Sequence, residues 1–231
     1  MNRNIASFPT RDAGVSSAAE RNRVLRNTYW LLALSMVPTV LGAWVGLSTG
    51  IARAMSPGIG LIVFLGGAFG FMFAIEKNKN SAAGVPILLA FTFFMGVMLS
   101  RLLGTVLGLA NGTGLVMTAF AGTGVVFFGM AMLSSVIKRD LGSMGKFLFI
   151  GAVMLLVAGV ANVFLQSSAL MMTLCVLAVG IFSAFILYDL KRVQDGHETN
   201  YVTATLGVYL SLYNVFQSLL ALLGLGGGRD E

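Results

Sequence analysis

Asp189 and Arg101 are ionisable side chains set inside long apolar runs, where a charge is costly enough to mark a functional candidate. Asp189 stands in Leu187-Tyr188-Asp189-Leu190-Lys191-Arg192. One reading is a solvated acid at a helix end, with Lys191 and Arg192 as countercharge. The other is an acid packed between helices, where burial favours its neutral form and a bound cation its ionised form. That is the chemistry of a proton-sensitive gate or a cation site. Glu76 sits at the margin of another run. A further set is uncharged: Ser211, Asn214 and Ser218 follow helical spacing, with Gln217 beside them, so one face of an apolar segment carries a polar stripe. Such a stripe either supplies interhelical hydrogen bonds, each worth about 0.6 kcal/mol, or walls a pore.

Catalytic arrangements are poorly represented. His197 is the single histidine, so an H-E-x-x-H metal motif is absent and a Ser-His triad would have to be built in a loop. Asp195, His197 and Glu198 offer one imidazole and two acids, a weak metal-ligand set. Asp189 has no second intramembrane aspartate with which to form a protease dyad, and there is no phosphate-binding glycine loop. The residues read as non-enzymatic, with no catalytic residue, cofactor or resident metal.

The elements that must position these side chains follow from composition. Of 231 residues, 57% are hydrophobic and 10% charged, against about 25% charged in an ordinary soluble domain. Too few polar side chains remain to cover a water-facing surface, which excludes a conventional cytosolic enzyme. Seven continuous apolar stretches, 28–47, 58–75, 85–107, 115–137, 147–166, 169–190 and 202–225, each approach the roughly 20 residues needed to cross a bilayer. They do not alternate as barrel strands do, so an all-α membrane protein of seven transmembrane helices is expected, embedded in the lipid bilayer. Residues 1–27 read as a disordered cytoplasmic tail without a signal peptide, 28–225 as the bundle and 226–231 as a short C-terminal tail. The lone Cys175 permits no internal disulfide.

The net charge of +6 is read by location and not as a nucleic-acid signal. Five basic residues precede the first run, and Lys77, Lys79, Lys138, Arg139, Lys146, Lys191 and Arg192 fall in alternate connections on the same side. The opposite side has Arg53 and Arg229. The positive-inside rule then places the N-terminus in the cytoplasm and, after seven spans, the C-terminus outside. Gly66/Gly70 and Gly104/Gly108 are small-xxx-small pairs expected to mark close helix packing. Depth separates the charges: Arg101 lies roughly 24 Å along span 3 from its inner end while Asp189 lies at the inner margin of span 6, too far for a direct pair. Asn214 and Gln217, about 18–22 Å along span 7, are the expected partners of Arg101 in an intramembrane polar cluster with Ser218.

Several segments resemble a known family. Residues 198–220, ETNYVTATLGVYLSLYNVFQSLL, are similar to the last span of the bacterial YccA branch of the Bax inhibitor-1 (transmembrane Bax inhibitor motif) family. Arg26-Asn27-Thr28-Tyr29, Ala161-Asn162-Val163-Phe164-Leu165-Gln166 and the stretch from Ala119 to Phe127 are similar as well, so the likeness covers roughly residues 22–225. It implies seven helices with span 7 central and surrounded by spans 1–6, residence in the bacterial inner membrane, and binding to and restraint of the membrane AAA protease FtsH. The alternative it implies is a pH-sensitive calcium leak channel, with Ca²⁺ the permeant ion and Asp189 at the cytoplasmic mouth. Such channels use an aspartate pair in spans 6 and 7; Asp189 matches the first, and Ser211 stands at the second. Where the family commonly has Gly-Pro in span 3, this chain has Ser100-Arg101.

Overall fold

The computed structural model describes residues 17–227, and among these the regular structure is helical. Eight helices follow in order: α1 (Ala18–Thr49), a single-turn α2 (Ile51–Ala54), α3 (Pro57–Asn78), α4 (Gly84–Leu107), α5 (Gly112–Val136), α6 (Met144–Leu165), α7 (Ser168–Gln194) and α8 (Tyr201–Gly227). All but α2 are long and apolar enough to cross a membrane. They coincide with the seven stretches expected, because hydrocarbon leaves a spanning backbone no partner but itself.

Local chemistry sets the boundaries. Ser17 caps α1, its hydroxyl accepting from the Glu20 N–H at 3.2 Å, with Glu20 at the acidic position of a capping box. The helix therefore starts ten residues before the apolar run. The expectation of a disordered tail through Asn27 is corrected for 18–27, which are helical, while residues 1–16 lie outside the described residues. α1 ends at Gly50, whose φ of 66° is a left-handed conformation open to glycine. Ser56 and Pro57 start α3. Between α6 and α7 the chain reverses in two residues: Gln166 takes a φ of 50°, and Asn162 Oδ1 accepts from the Ser167 N–H at 3.1 Å. At the other end, α8 runs through Gly227, and residues 228–231 are not described.

The bundle is apolar outside as well as inside. Trp30, Ile62 and Phe147 are each more than 70% exposed, as suits a protein whose surrounding solvent is hydrocarbon. α3 and α6 each bury one residue, Ile75 and Leu148. The buried helices are α4 and α8. The latter packs against α1, α4, α5 and α7 with a lesser contact on α3, whereas α6 packs principally on α7.

Close helix approach occurs at glycines other than those expected. A side chain begun at Gly42 would start 2.0 Å from the Phe93 carbonyl oxygen, one at Gly96 2.0 Å from that of Thr39, and one at Gly46 2.3 Å from Ser100 Oγ. The intimate seam is thus between α1 and α4. Gly66 and Gly70 face open space, and Gly104 meets the Arg53 side chain and not a helix backbone.

Candidate functional site

Antiparallel succession of the spans brings the starts of α1, α4, α6 and α8 to one pole with the ends of α3, α5 and α7, and the remaining ends to the other. One pole gathers the start of α1, the end of α7 and the start of α8, where Val24, Val193 and Ala204 form a small buried cluster. Asn200 ties this pole together, its amide donating to Lys79 O at 3.1 Å and Asn80 Oδ1 at 2.8 Å. Gln194 does the same towards α5, donating to Ser134 Oγ at 2.9 Å.

Asp189 sits in this pole, on α7. It faces Gly207 of α8, where a side chain would start 2.8 Å from Asp189 Oδ2. Among the described residues its carboxyl takes no hydrogen bond or ion pair; its charged neighbours are Arg192 and Glu198, which face each other at 3.7 Å. Asp189, Arg192, Glu198, Thr203 and Gly207 share the lining of a cavity of about 190 Å³. Thr203 Oγ1 is buried without a hydrogen-bond partner. Buried polar groups normally have partners, so a cavity holding an unpaired hydroxyl and an unpaired carboxyl suits water or a cation. Ser211 is buried on the same face of α8 as Gly207, one turn and about 6 Å further along. The α8 residue against Asp189 is therefore Gly207.

The loop residues weighed as metal ligands are rearranged. Asp140, Asp195 and His197 bring ligand atoms within 4.8 Å of one another, and Glu198 turns instead to Arg192 and the Asn200 N–H. Lys191 pairs with Asp195, so a cation there competes with an ammonium group.

Arg101 is at the opposite pole from Asp189. Its Nη1 donates to Met55 O at 3.3 Å, in the link between α2 and α3. Asn214 spends its amide within α8, donating to Leu210 O at 2.8 Å. Gln217 shares with Arg101 the lining of a cavity of about 460 Å³, and Ser218 is buried.

The residues that do tie α8 to its neighbours by hydrogen bonds form a second series at four-residue spacing: Thr205, Tyr209 and Tyr213. Thr205 Oγ1 lies 2.7 Å from Tyr201 O and 3.3 Å from Thr28 O. The Tyr209 hydroxyl is 2.9 Å from Thr39 Oγ1. Thr39 donates its own proton to Ser35 O at 2.8 Å, so Tyr209 is the donor of the pair, and its 3.4 Å approach to Thr92 O is a secondary branch. Tyr213 donates to Met95 O at 3.2 Å. The four-residue spacing was the available signal for these tyrosines, hidden because tyrosine also reads as an apolar span residue.

Seven spans, an apolar exterior and polar ties concentrated on α8 define a multi-pass integral membrane protein. The model of the family described as Inhibitor of apoptosis-promoting Bax1 matches residues 21–228, and the chain belongs to this Bax inhibitor-1 family. It is 37% identical to the Modulator of FtsH protease YccA of Escherichia coli strain K12, over 95% of this chain and 100% of that one. It is also 39% identical to an uncharacterized protein of Neisseria meningitidis, over 91% and 94% of the two chains. An uncharacterized membrane protein of Vibrio cholerae is 34% identical, over 96% and 97%.

Proposed function

We propose that this chain is a bacterial inner-membrane protein that binds an FtsH-type AAA protease and restrains its attack on membrane substrates. The observation that carries this reading is full-length similarity to the Escherichia coli modulator of FtsH. Two physical features support it. The exposed faces of α3 and α6, with Gly66, Gly70 and Gly159 open on their outer sides, offer surfaces on which a partner's span can pack closely. The pole bearing Lys77, Lys79, Lys138, Arg139, Lys146, Lys191 and Arg192 is cytoplasmic by the positive-inside rule, which puts the N-terminus on the side of the protease's soluble domains. The test is co-reconstitution with the protease and a membrane substrate. Slower substrate turnover together with co-purification is expected; turnover unchanged by excess protein, with no co-purification, sinks the reading.

A second reading is a Ca²⁺ leak sensed at Asp189. Its motivation is the cavity in which the Asp189 carboxyl and the Thr203 hydroxyl both lack partners. Arg101, bonded to Met55 O, raises no electrostatic objection from within that cavity. Liposomes loaded with a calcium dye, comparing the native chain with Asp189→Asn across pH, decide it. Flux altered by the substitution supports the leak, and no flux at any pH from folded, inserted protein removes it.

A further inference from the structure

Among the described residues, the pole opposite Asp189 carries charge of one sign only. The described carboxylates, Glu20, Glu76, Asp140, Asp189, Asp195 and Glu198, all stand at the starts of α1, α6 and α8 or the ends of α3 and α7. Arg53 and Arg101 stand at the other pole, both exposed and neither with a carboxylate partner among the described residues. They are held close together. Arg53 rests on Gly104, its guanidinium atoms 2.3–2.9 Å from where a Gly104 side chain would begin. Arg101 precedes Gly104 by three residues, hence on the same face of α4 and about 4.5 Å along it.

Arg101 leaves the apolar part of α4 to reach Met55 O, as a long cationic side chain snorkels to the membrane interface. One N–H of five is used there, and the rest of the fork remains to take an anion bidentately. The start of α3 adds to this: Gly58 is open, and the N-terminus of a 22-residue helix favours negative charge. Below the guanidinium runs the cleft of about 460 Å³, walled by Pro57, Leu61, Phe64, Met98 and Leu102. A free anion gains nothing from such walls, whereas an acyl chain does.

We propose that Arg53 and Arg101 form a headgroup site for an anionic phospholipid of the leaflet at this pole, with the phosphate on the two guanidinium groups and an acyl chain in the cleft between α3 and α4. The site is independent of protease binding and of any ion path at Asp189.

The test uses the purified full chain in neutral detergent, titrated with dioleoylphosphatidylglycerol, dioleoylphosphatidylcholine or inorganic phosphate, with bound lipid read by native mass spectrometry. The native chain retains phosphatidylglycerol over phosphatidylcholine, and excess inorganic phosphate does not displace it. Arg53→Gln and Arg101→Gln each weaken phosphatidylglycerol binding about fivefold, the effect of one basic residue at a charged membrane surface, and leave phosphatidylcholine unchanged. Equal retention of the two lipids by the native chain overturns the proposal without recourse to a variant. So does an unchanged preference in folded Arg53→Gln/Arg101→Gln protein. Displacement by inorganic phosphate overturns the lipid assignment and leaves a simple anion site.

Discussion

Asp189 on α7 and Gly207 on α8 fit together as acid and gap: a side chain on Gly207 would begin 2.8 Å from Asp189 Oδ2. The absent side chain is what lets the carboxyl stand between the two helices. Gly207→Ala therefore forces the carboxyl aside, at a cost of about 1–3 kcal/mol for overpacking. The crowded atom belongs to a side chain and not to backbone, so shortening that side chain relieves it. In a double-mutant cycle followed by thermal unfolding, the double change Asp189→Ala/Gly207→Ala should cost less in total than the two single changes added. Additive costs would show that the two residues do not meet.

The α1–α4 seam gives the sharpest contrast between glycines. Gly96→Val places a methyl group against the Thr39 carbonyl, a backbone atom that cannot rotate away, and a loss of about 3 kcal/mol or more is expected. Gly70→Val points into open space and should change stability by less than about 0.5 kcal/mol. Comparison of melting temperatures and of monodisperse yield checks both; equal sensitivity of the two sites would contradict the seam.

Tyr209→Phe removes the hydroxyl that donates to Thr39 but leaves Thr39 bonded to Ser35 O, so no buried group loses its only partner. The expected cost is modest, about 0.6 kcal/mol and below about 2. Thr39→Val, which also breaks the bond, should show coupling with Tyr209→Phe when unfolding is measured for the pair.

Truncation at the N-terminus separates protease engagement from folding. Removing residues 2–16 spares Ser17 and the whole of α1. Removing residues 2–27 also deletes Val24, which is buried against Val193 and Ala204, and costs about 2 kcal/mol for that side chain alone. Melting curves should shift for the longer deletion only. If the tail holds the protease, the shorter deletion alone weakens co-purification; retention of full binding assigns engagement to the spans.

How far each site was legible depended on whether its cause is local. Asp189 stood out because a carboxylate in an apolar run is conspicuous by type. That Gly207 meets it, one turn short of the aligned Ser211, depends on the rotation of α8 about its own axis, which no local pattern encodes. Asn214 carried the right polarity for an interhelical bond, yet its amide satisfies itself on Leu210 O. Tyr209 and Tyr213 make the interhelical bonds instead. Gly42 and Gly46 have the same four-residue spacing as Gly66 and Gly70; with 29 glycines in the chain, spacing alone does not say which pair another helix will approach.

By itself the sequence determined that the chain is a bundle of seven apolar helices and roughly where each begins and ends. Helix formation in hydrocarbon is settled within each segment, by its length, its apolar content and its capping residues. The tertiary structure alone decided which faces meet: α1 against α4 through Gly42, Gly46 and Gly96, Asp189 against Gly207, and Arg101 turned to Met55. In lipid the inside and outside of a bundle are equally apolar, so hydrophobicity does not choose the buried face. Steric fit and a few hydrogen bonds between distant residues do.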